Sequence, residues 1–285
     1  MPKVTVVIPA YNHEAYVKSA IQSVLAQTYK DFELIVINDG STDMTHEIVS
    51  KLSEKYNFTY INQQNKGLSK TLKDAISLCK GDFIAILASD DVWIENKLEL
   101  QVAHMTEYPD VVACCAGVDS IDENDCIVNK GVDRHSVELY SFDRVMLAGF
   151  NIPPATIVIR KDAVESDFFD ESLKVEDFFL WLKLTENGGV ISVLPETLAR
   201  YRVHSSNTTG NLALIAKYHH ITIDRFQDVG VYQRAKTIWS LFSFRQLSRH
   251  YKLEATKYIM VSPGFIFSRC FLIGFIKLIF YWGRK

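Results

Sequence analysis

Two adjacent carboxylates end an apolar run in the first third of the chain. The segment Ile84–Asp91 (IAILASDD) has the character of a buried strand that closes on Asp90 and Asp91. Ligands of open α/β sheets bind in the crevice beyond the carboxyl ends of the strands. Two carboxylates there, together with substrate phosphates, can hold a hard divalent cation. The pair therefore predicts a metal–diphosphate site, although either acid could instead cap a helix that begins near Trp93.

Two earlier apolar runs end in residues that could bind a nucleobase. The first run closes on Pro9-Ala10-Tyr11-Asn12 and the second on Asn38-Asp39-Gly40-Ser41. If the strands are parallel neighbours, these ends lie side by side with Asp90. The ring of Tyr11 can then stack on a uracil, and the carboxylate of Asp39 can accept a hydrogen bond from its N3–H. Taken singly, Tyr11 could be a rim residue and Asp39 could cap a turn or a helix.

The elements that must position these residues alternate between strand and helix. In the first third of the chain we expect strands at Lys3–Pro9, Phe32–Ile37, Phe58–Asn62 and Phe83–Leu87. We expect helices at Ala15–Gln27 and Leu68–Cys79, and a further helix that follows the turn Asn38–Asp43 and ends at Leu52. This alternation is typical of βαβ units that build a parallel sheet.

The rest of the chain is predicted to be mixed and then helical. We expect helices at Lys97–Tyr108, Ser141–Ala148 and Glu176–Thr185, strands at Val111–Val118, Ala155–Arg160 and Val190–Leu194, a further strand at Leu198–Val203, and a polar loop at Asp119–Asp133. From about Leu212 onward the pattern is helical. The chain thus predicts an α/β body followed by a helical extension.

Composition limits the classes of partner. The chain has 285 residues and a net charge of −3, which argues against a general nucleic-acid binder. The segment Arg245–Lys285 carries eight basic residues and one acid, so its charge is +7 and the remainder is −10. A basic tail on an acidic body predicts a surface that attracts anions such as phospholipid headgroups.

The cysteines and the first residues indicate a reducing compartment. The five cysteines are odd in number and show no CxxC spacing, so neither a disulfide framework nor a zinc site is indicated. Met1-Pro2-Lys3 leads directly into a strand without a signal peptide. We therefore expect a cytoplasmic protein.

Three motifs, taken in order, resemble those of the family 2 glycosyltransferases, which have the GT-A fold. They are VVIPAYNHEAYVKSAIQSVLAQTYKDFELIVINDGSTD, NKGLSKTLKDAISLCKGDFIAILASDD and VEDFFLWLKL, within Lys3 to about Val203. The resemblance implies a Rossmann-like, mostly parallel central sheet flanked by helices. It also implies that Pro9, Tyr11 and Asp39 contact the base, that Asp90 approaches the ribose or the metal, and that Asp91 ligates the metal.

This sequence departs from the family pattern at two places. Members often carry an aspartate where this chain has Ala88, so the acid cluster is one carboxylate short. Asp90 and Asp91 remain, and two carboxylates suffice for a Mg²⁺ or Mn²⁺ that keeps water and phosphate ligands. Leu72-Lys73 stands where many relatives have Arg-Asn. Lys66, in the turn Asn65-Lys66-Gly67, is predicted to contact a phosphate.

The third motif supplies a candidate general base. An inverting transfer needs a group that takes the proton of the acceptor hydroxyl as it attacks the anomeric carbon. The resemblance places this role on Asp177, with Trp181 packed beneath it. Glu176 and Asp177 could alternatively do no more than stabilise the start of a helix through its dipole.

A later extended segment is expected to close over the donor. Relatives often have an arginine and a histidine here that reach the diphosphate, and Arg202 and His204 match them. Because they alternate with Val203, both could face one side of a strand, where we expect Arg202 to bind the donor and His204 the metal. The alternative is a solvated strand edge. His219 and His220 are interpreted as structural.

The sequence as a whole predicts an inverting, metal-dependent transfer of a single sugar. The donor is expected to be a UDP-sugar, and the resemblance implies a lipid-linked glycan acceptor in O-antigen-like or capsule-like polysaccharide assembly. The QxxRW signature of processive members is absent around Gln233 and Trp239. Residues 1–210 form the predicted GT-A domain, with a nucleotide-sugar half at 1–118 and an acceptor half at 119–210, and residues 211–285 the extension.

Two other functions compete with this interpretation. A catalytically silent nucleotide-sugar-binding scaffold is favoured only by Ala88, and Asp91 and Asp177 argue against it. A nucleotidyltransferase would need a Gly-rich, basic loop after the first strand, and Ala10–Glu14 supplies none. A homodimer is left open.

The end of the chain is predicted to lie on a membrane. The apolar run Phe265–Trp282 spans 18 residues but contains Arg269 and Lys277, which argues against a bilayer crossing. Arg269, Lys277 and Arg284 fall in one helical arc, which favours a tail (about 263–285) in the interface of the inner membrane face, anchored by Tyr281 and Trp282. The alternative is a helix packed on the domain or in a dimer.

Overall fold

A mixed sheet of ten strands runs through the protein. The computed structural model describes residues 3–205, 207, 210–259 and 268–281. The strands are β1 (Val4–Ala10), β2 (Phe32–Asp39), β3 (Thr59–Gln63), β4 (Phe83–Ile86), β5 (Val92–Trp93), β6 (Val111–Ile121), β7 (Ile127–Asn129), β8 (Glu138–Tyr140), β9 (Val158–Arg160) and β10 (Val190–Arg202). Their order is β3-β2-β1-β4-β9-β6-β10-β5, with β7 on β6 and β8 on β10.

Ten α-helices accompany the sheet in the described part of the chain. They are α1 (Val17–Leu25), α2 (Thr45–Tyr56), α3 (Leu68–Leu78), α4 (Lys97–Glu107), α5 (Phe142–Ala148), α6 (Asp177–Thr185), α7 (Leu212–Asp224), α8 (Tyr232–Leu247), α9 (Lys252–Thr256) and α10 (Arg269–Phe280). The predicted α/β architecture with a helical C-terminal extension is confirmed.

The two halves of the sheet differ in strand direction. The strands β1 to β4 pair in parallel, as the alternation of strands and helices predicted. In the second half, β9 runs antiparallel to both β4 and β6, whereas β6 and β10 are parallel. The sheet is therefore mixed, and the short strand β9 lies between its two halves.

Four predicted elements of the second half differ from the structure. The runs 190–194 and 198–203 belong to one strand, β10, which stays paired to β6 through irregularities near Thr197. The apolar run from Ala155 contains a short 3₁₀ turn, so β9 begins only at Val158. The predicted loop 119–133 contains the end of β6 and the hairpin strand β7. Irregular pairing and short strands leave no clear period in the sequence.

Apolar cores lie on both faces of the sheet. Val6, Ile8, Val24 and Val102 belong to the core between the sheet and helices α1, α2 and α4. The opposite core contains residues of α3, α5 and α6 and also Trp239 of α8. The predicted extension thus shares a core with the body, and the predicted boundary near residue 210 stays a prediction.

The end of the chain packs on α8 through one face of α10. Phe271 is buried and stacks on Phe244 at 5.4 Å between ring centroids. A Cβ added at Gly274 would lie 2.6 Å from Phe244 Cε1, so this close approach requires glycine. Phe271 therefore belongs to the face of α10 that packs on the domain. Within the described ranges, no helix combines the length and apolarity that a membrane crossing requires.

Candidate active site

The carboxyl ends of β1, β2 and β4 lie at one edge of the sheet. Ala10 pairs with Asn38, and Val7 pairs with Ile86, in parallel register. The ladder continues one step further, because the N–H of Leu87 donates to the carbonyl of Val7. The segments that follow these three strands therefore border one crevice, where open α/β sheets bind ligands.

Asp90 lies between two histidines in this crevice. Its Oδ2 is 3.0 Å from Nε2 of His204 and 3.8 Å from Nε2 of His13. The three ligand atoms all lie within 4.8 Å of one another, and Asp90 is 7% exposed. Two imidazoles and a carboxylate are a donor set that binds divalent metals, so these residues fit the cation that the resemblance implies.

His13 was not singled out from the sequence. It follows the end of β1, and its Nδ1 lies 2.8 Å from Oγ of buried Ser89. Burial lowers the pKa of His13, although the charge of Asp90 opposes the shift, so the neutral imidazole is favoured. The only sequence signal was its position beside Asn12 at a strand end.

Asp91 occupies a different environment from Asp90. It is 1% exposed, and its Oδ1 accepts a 2.9 Å hydrogen bond from the N–H of Arg202. Burial raises the pKa of Asp91 well above its ordinary value, and the neighbouring charge of Asp90 adds to the shift. The cluster of three donors does not include Asp91, whose role as a metal ligand stays a prediction.

Arg202 is buried and ties three segments together. Its Nε donates to the carbonyl of Asp90 at 2.8 Å, Nη1 to the carbonyl of Asp122 at 2.9 Å, and Nη2 to Oδ1 of Asp125 at 2.6 Å. The guanidinium also lies 4.8 Å from the ring centre of Tyr16. These bonds give Arg202 a positioning role, and its contact with the diphosphate stays a prediction.

The loops after β1 and β2 are joined by side chains. Oδ1 of Asn12 accepts the N–H of Thr42 at 2.8 Å, and the N–H of Asn12 donates to Oγ of Ser41 at 3.0 Å. Tyr11, which precedes Asn12, is 46% exposed, so its ring is accessible. Pro9 pairs with Ile37 inside the sheet. Base contacts by Pro9 and Tyr11 stay predictions that this arrangement permits.

The carboxylate of Asp39 holds the turn that precedes α3. It accepts hydrogen bonds from the N–H groups of Lys66 and Gly67, each at 2.9 Å, and from Nε2 of Gln63 at 2.8 Å. A carboxylate offers about four acceptor positions, so one remains for a nucleobase N–H. The ammonium of Lys66 pairs with Asp74 at 3.1 Å, and its contact with a phosphate stays a prediction.

Asp177 lines a cavity of about 300 Å³. Its Oδ1 accepts the N–H of Phe178 at 2.7 Å at the start of α6. Burial raises the pKa of Asp177, and burial together with the charge of Asp177 raises the pKa of Glu176 to about 7. A carboxyl with a raised pKa is suited to accept a proton near neutral pH.

The extension supplies much of the wall of this cavity. His219 of α7 and Trp239 and Phe242 of α8 line it together with Phe150 and Trp181. Sequence reasoning treated His219 as structural, and nothing in the helical pattern distinguishes it. Burial lowers the pKa of His219 to about 4, so it lines the cavity as a neutral imidazole.

The outer face of α10 is an exposed apolar stripe. Leu272, Phe275, Ile276 and Phe280 are each between 43% and 75% exposed. Tyr281 packs against Arg249 at 4.0 Å from guanidinium to ring centre. The predicted anchor Trp282 and the predicted basic residues Arg284 and Lys285 lie outside the described residues, as does Phe265.

Sequence comparisons identify relatives. The sequence model described as Glycosyl transferase family 2 matches residues 5–165. An uncharacterized glycosyltransferase of Rickettsia prowazekii is 34% identical over 221 residues, which cover 75% of this chain and 67% of the relative. The Escherichia coli UDP-Glc:alpha-D-GlcNAc-diphosphoundecaprenol beta-1,3-glucosyltransferase WfgD is 30% identical over 209 residues, which cover 73% of this chain and 80% of the relative.

Solved structures share the fold. S. aureus TarS 1–349 in complex with UDP-GlcNAc aligns with a TM-score of 0.69 at 21% identity, over 93% of this chain and 80% of that one. The mannosyltransferase PcManGT from Pyrobaculum calidifontis, in complex with GDP-Man and Mn²⁺, aligns with a TM-score of 0.62 at 14% identity, over 98% and 87%.

Proposed function

The chain belongs to glycosyltransferase family 2, and on that premise we propose that it moves a single sugar from UDP to a hydroxyl of a lipid-linked glycan. The transfer inverts the anomeric configuration and depends on a divalent cation. The observation that carries the proposal is the convergence of Asp90 and His204 at the carboxyl ends of β1, β2 and β4.

The donor binds along the crevice. The exposed ring of Tyr11 stacks on the uracil beside Pro9, and the remaining acceptor position of Asp39 takes its N3–H. Asp90 and His204 would hold the cation, which when bound would neutralise charge on the diphosphate leaving group. Arg202 positions the Asp90-Asp91 turn through its hydrogen bond to the carbonyl of Asp90.

Asp177 acts as the general base on the acceptor. Its Oδ1 is engaged by the N–H of Phe178, so Oδ2 takes the proton of the attacking hydroxyl. The aromatic walls of the cavity that it lines, among them Phe150, Trp181 and Trp239, suit a sugar ring that stacks on its apolar face.

The acceptor is a glycan on a polyprenyl diphosphate, in the assembly of a surface polysaccharide. The similarity to WfgD, whose name specifies a diphosphoundecaprenol acceptor, supports this choice. The exposed apolar stripe of α10, with Arg269 and Lys277 on the same helix, supports peripheral contact with the inner face of the cytoplasmic membrane, where such an acceptor resides.

A nucleotide-sugar screen tests the proposal. Thermal unfolding and release of UDP are measured with a panel of UDP-, GDP- and dTDP-sugars, with MnCl₂ or with excess EDTA, and with a GlcNAc-diphosphate-lipid analogue as acceptor. We expect one UDP-sugar to raise the melting temperature and to be consumed only with metal. If no UDP-sugar protects the protein or is turned over, the proposal is wrong.

A further inference from the structure

Asp90 lies at the distances from His13 and His204 that ligands of one ion have, and the three donor atoms all lie within 4.8 Å of one another. With metal–ligand bonds of about 2.1 Å, neighbouring ligand atoms lie roughly 3 Å apart and opposite ones about 4.2 Å apart. The observed separations from Asp90 Oδ2 are 3.0 Å to His204 Nε2 and 3.8 Å to His13 Nε2. All three donors can therefore reach one cation with small side-chain adjustments.

The orientation of His13 is fixed by Ser89. Metal-binding histidines almost always donate their second ring N–H to a fixed acceptor. Nδ1 of His13 lies 2.8 Å from Oγ of Ser89, which is 2% exposed and precedes Asp90 in the chain. With the proton on Nδ1, the lone pair of Nε2 points toward the carboxylate. The same turn thus supplies one donor, Asp90, and orients another.

Ala88 gives a reason why a third donor is needed here. The methyl group of Ala88 cannot ligate, and of the acids in the β4 turn only Asp90 belongs to the donor cluster. His13 enters from the end of β1 and brings the number of protein donors to three. The nitrogen donor changes the chemistry, because nitrogen ligands favour first-row transition ions, of which Mn²⁺ binds most weakly, whereas Mg²⁺ prefers oxygen ligands.

We propose that His13 is a protein ligand of the donor-binding cation, beside Asp90 and His204, and that this set selects Mn²⁺ or another first-row transition ion over Mg²⁺. The inference rests on the proposed function, since it concerns the cation of the same site. A merely structural His13 would hydrogen-bond to Ser89 and lie edge-on to His204, whose ring centre is 5.7 Å away.

The substitution His13→Asn separates ligation from the bond to Ser89. Asparagine offers a polar atom near the position of Nδ1 and none at that of Nε2. Binding of MnCl₂, CoCl₂ and MgCl₂ is measured by calorimetry, with and without UDP, on wild type, His13→Asn, His13→Ala and the exposed control His135→Ala. Electron spin-echo spectroscopy of bound Mn²⁺ then counts the coordinated ring nitrogens.

We expect both His13 variants to lose at least about tenfold in affinity for Mn²⁺ and Co²⁺, with little change for Mg²⁺, because loss of one ligand weakens a site by at least as much as loss of its supporting partner. Nitrogen couplings should fall from two histidines to one. Wild-type Mn²⁺ affinity in His13→Asn, or no Mn²⁺ or Co²⁺ binding by wild type in either condition, overturns the inference.

The inference and the proposed function fail in different ways. Metal titrations use no sugar donor, so nitrogen ligation by His13 can be observed even if no UDP-sugar is turned over. Conversely, turnover can depend on metal while His13→Asn and wild type show the same preference among metals. That result upholds the proposed function and rejects His13 as a ligand.

Discussion

Nε2 of His204 lies 3.0 Å from Oδ2 of Asp90, although the two residues are 114 positions apart in the chain. The contact arises because β10, the long strand next to β6, delivers its carboxyl end to the turn that follows β4. Arg202 at the end of β10 bonds to both Asp90 and Asp91, so the two segments form one unit.

The two acids of this turn should respond differently to substitution. Asp90→Asn is expected to lower Mn²⁺ affinity at least about tenfold with a small change in melting temperature, because Asp90 belongs to the donor cluster. Asp91→Ala should lower stability by about 1–3 kcal/mol, because it removes the acceptor of the buried N–H of Arg202. Calorimetry and urea unfolding measure the two effects. Intact metal binding in Asp90→Asn, with loss of metal binding in Asp91→Ala, would show that Asp91 rather than Asp90 is the ligand.

Substitution of Arg202 should lower the stability of the fold. Arg202→Ala leaves the Asp90 and Asp122 carbonyls without their buried donors, so we expect a loss of at least about 2 kcal/mol in the free energy of unfolding. Arg200→Ala, two positions earlier on β10 and more exposed, is the matched control and should change stability by less than about 0.5 kcal/mol. Equal stability of the two variants contradicts the positioning role.

Glu176 should make the protein less stable as the pH rises toward 7. Its pKa is about 7 in the folded protein against an ordinary 4.5, chiefly through burial. The folded state therefore binds more protons between these values, and stability falls as the pH rises through that window. Glu176→Gln removes this dependence, so its urea midpoint should vary less than that of wild type between pH 4.5 and 7. Parallel pH profiles would show that the shift in pKa is absent.

The outer face of α10 should govern membrane binding. Replacing Ile276 and Phe280 with serine removes exposed apolar groups, each worth roughly 1.5–3 kcal/mol if fully buried in lipid, and is expected to reduce flotation with anionic liposomes. Binding by wild type should weaken at high salt because Arg269 and Lys277 contribute. Val132→Ser, at another exposed site, is the control. Undiminished flotation of the double variant would exclude α10 as the contact.

The residues at the strand ends could be predicted from the sequence. The contacts that loops and distant helices make with them could not. Tyr11, Asp39 and Asp90 each follow an apolar run, so parallel pairing alone brings them to one edge. The partnership of His13 with Asp90 depends on a loop conformation that has no periodic signal. Likewise, the wall that α7 and α8 give to the Asp177 cavity follows from packing between distant segments. Local patterns specify elements, whereas tertiary packing decides which of them share a site.

The most direct test of the account is transfer by wild type and Asp177→Asn under the same conditions. The UDP-sugar selected by the screen is incubated with MnCl₂ and the lipid-diphosphate acceptor, and the anomeric configuration of the product is read by NMR. The account predicts inversion by wild type, with turnover by Asp177→Asn lower by at least about 10² and UDP binding unchanged. A product with retained configuration, or near-normal turnover by Asp177→Asn, would contradict it.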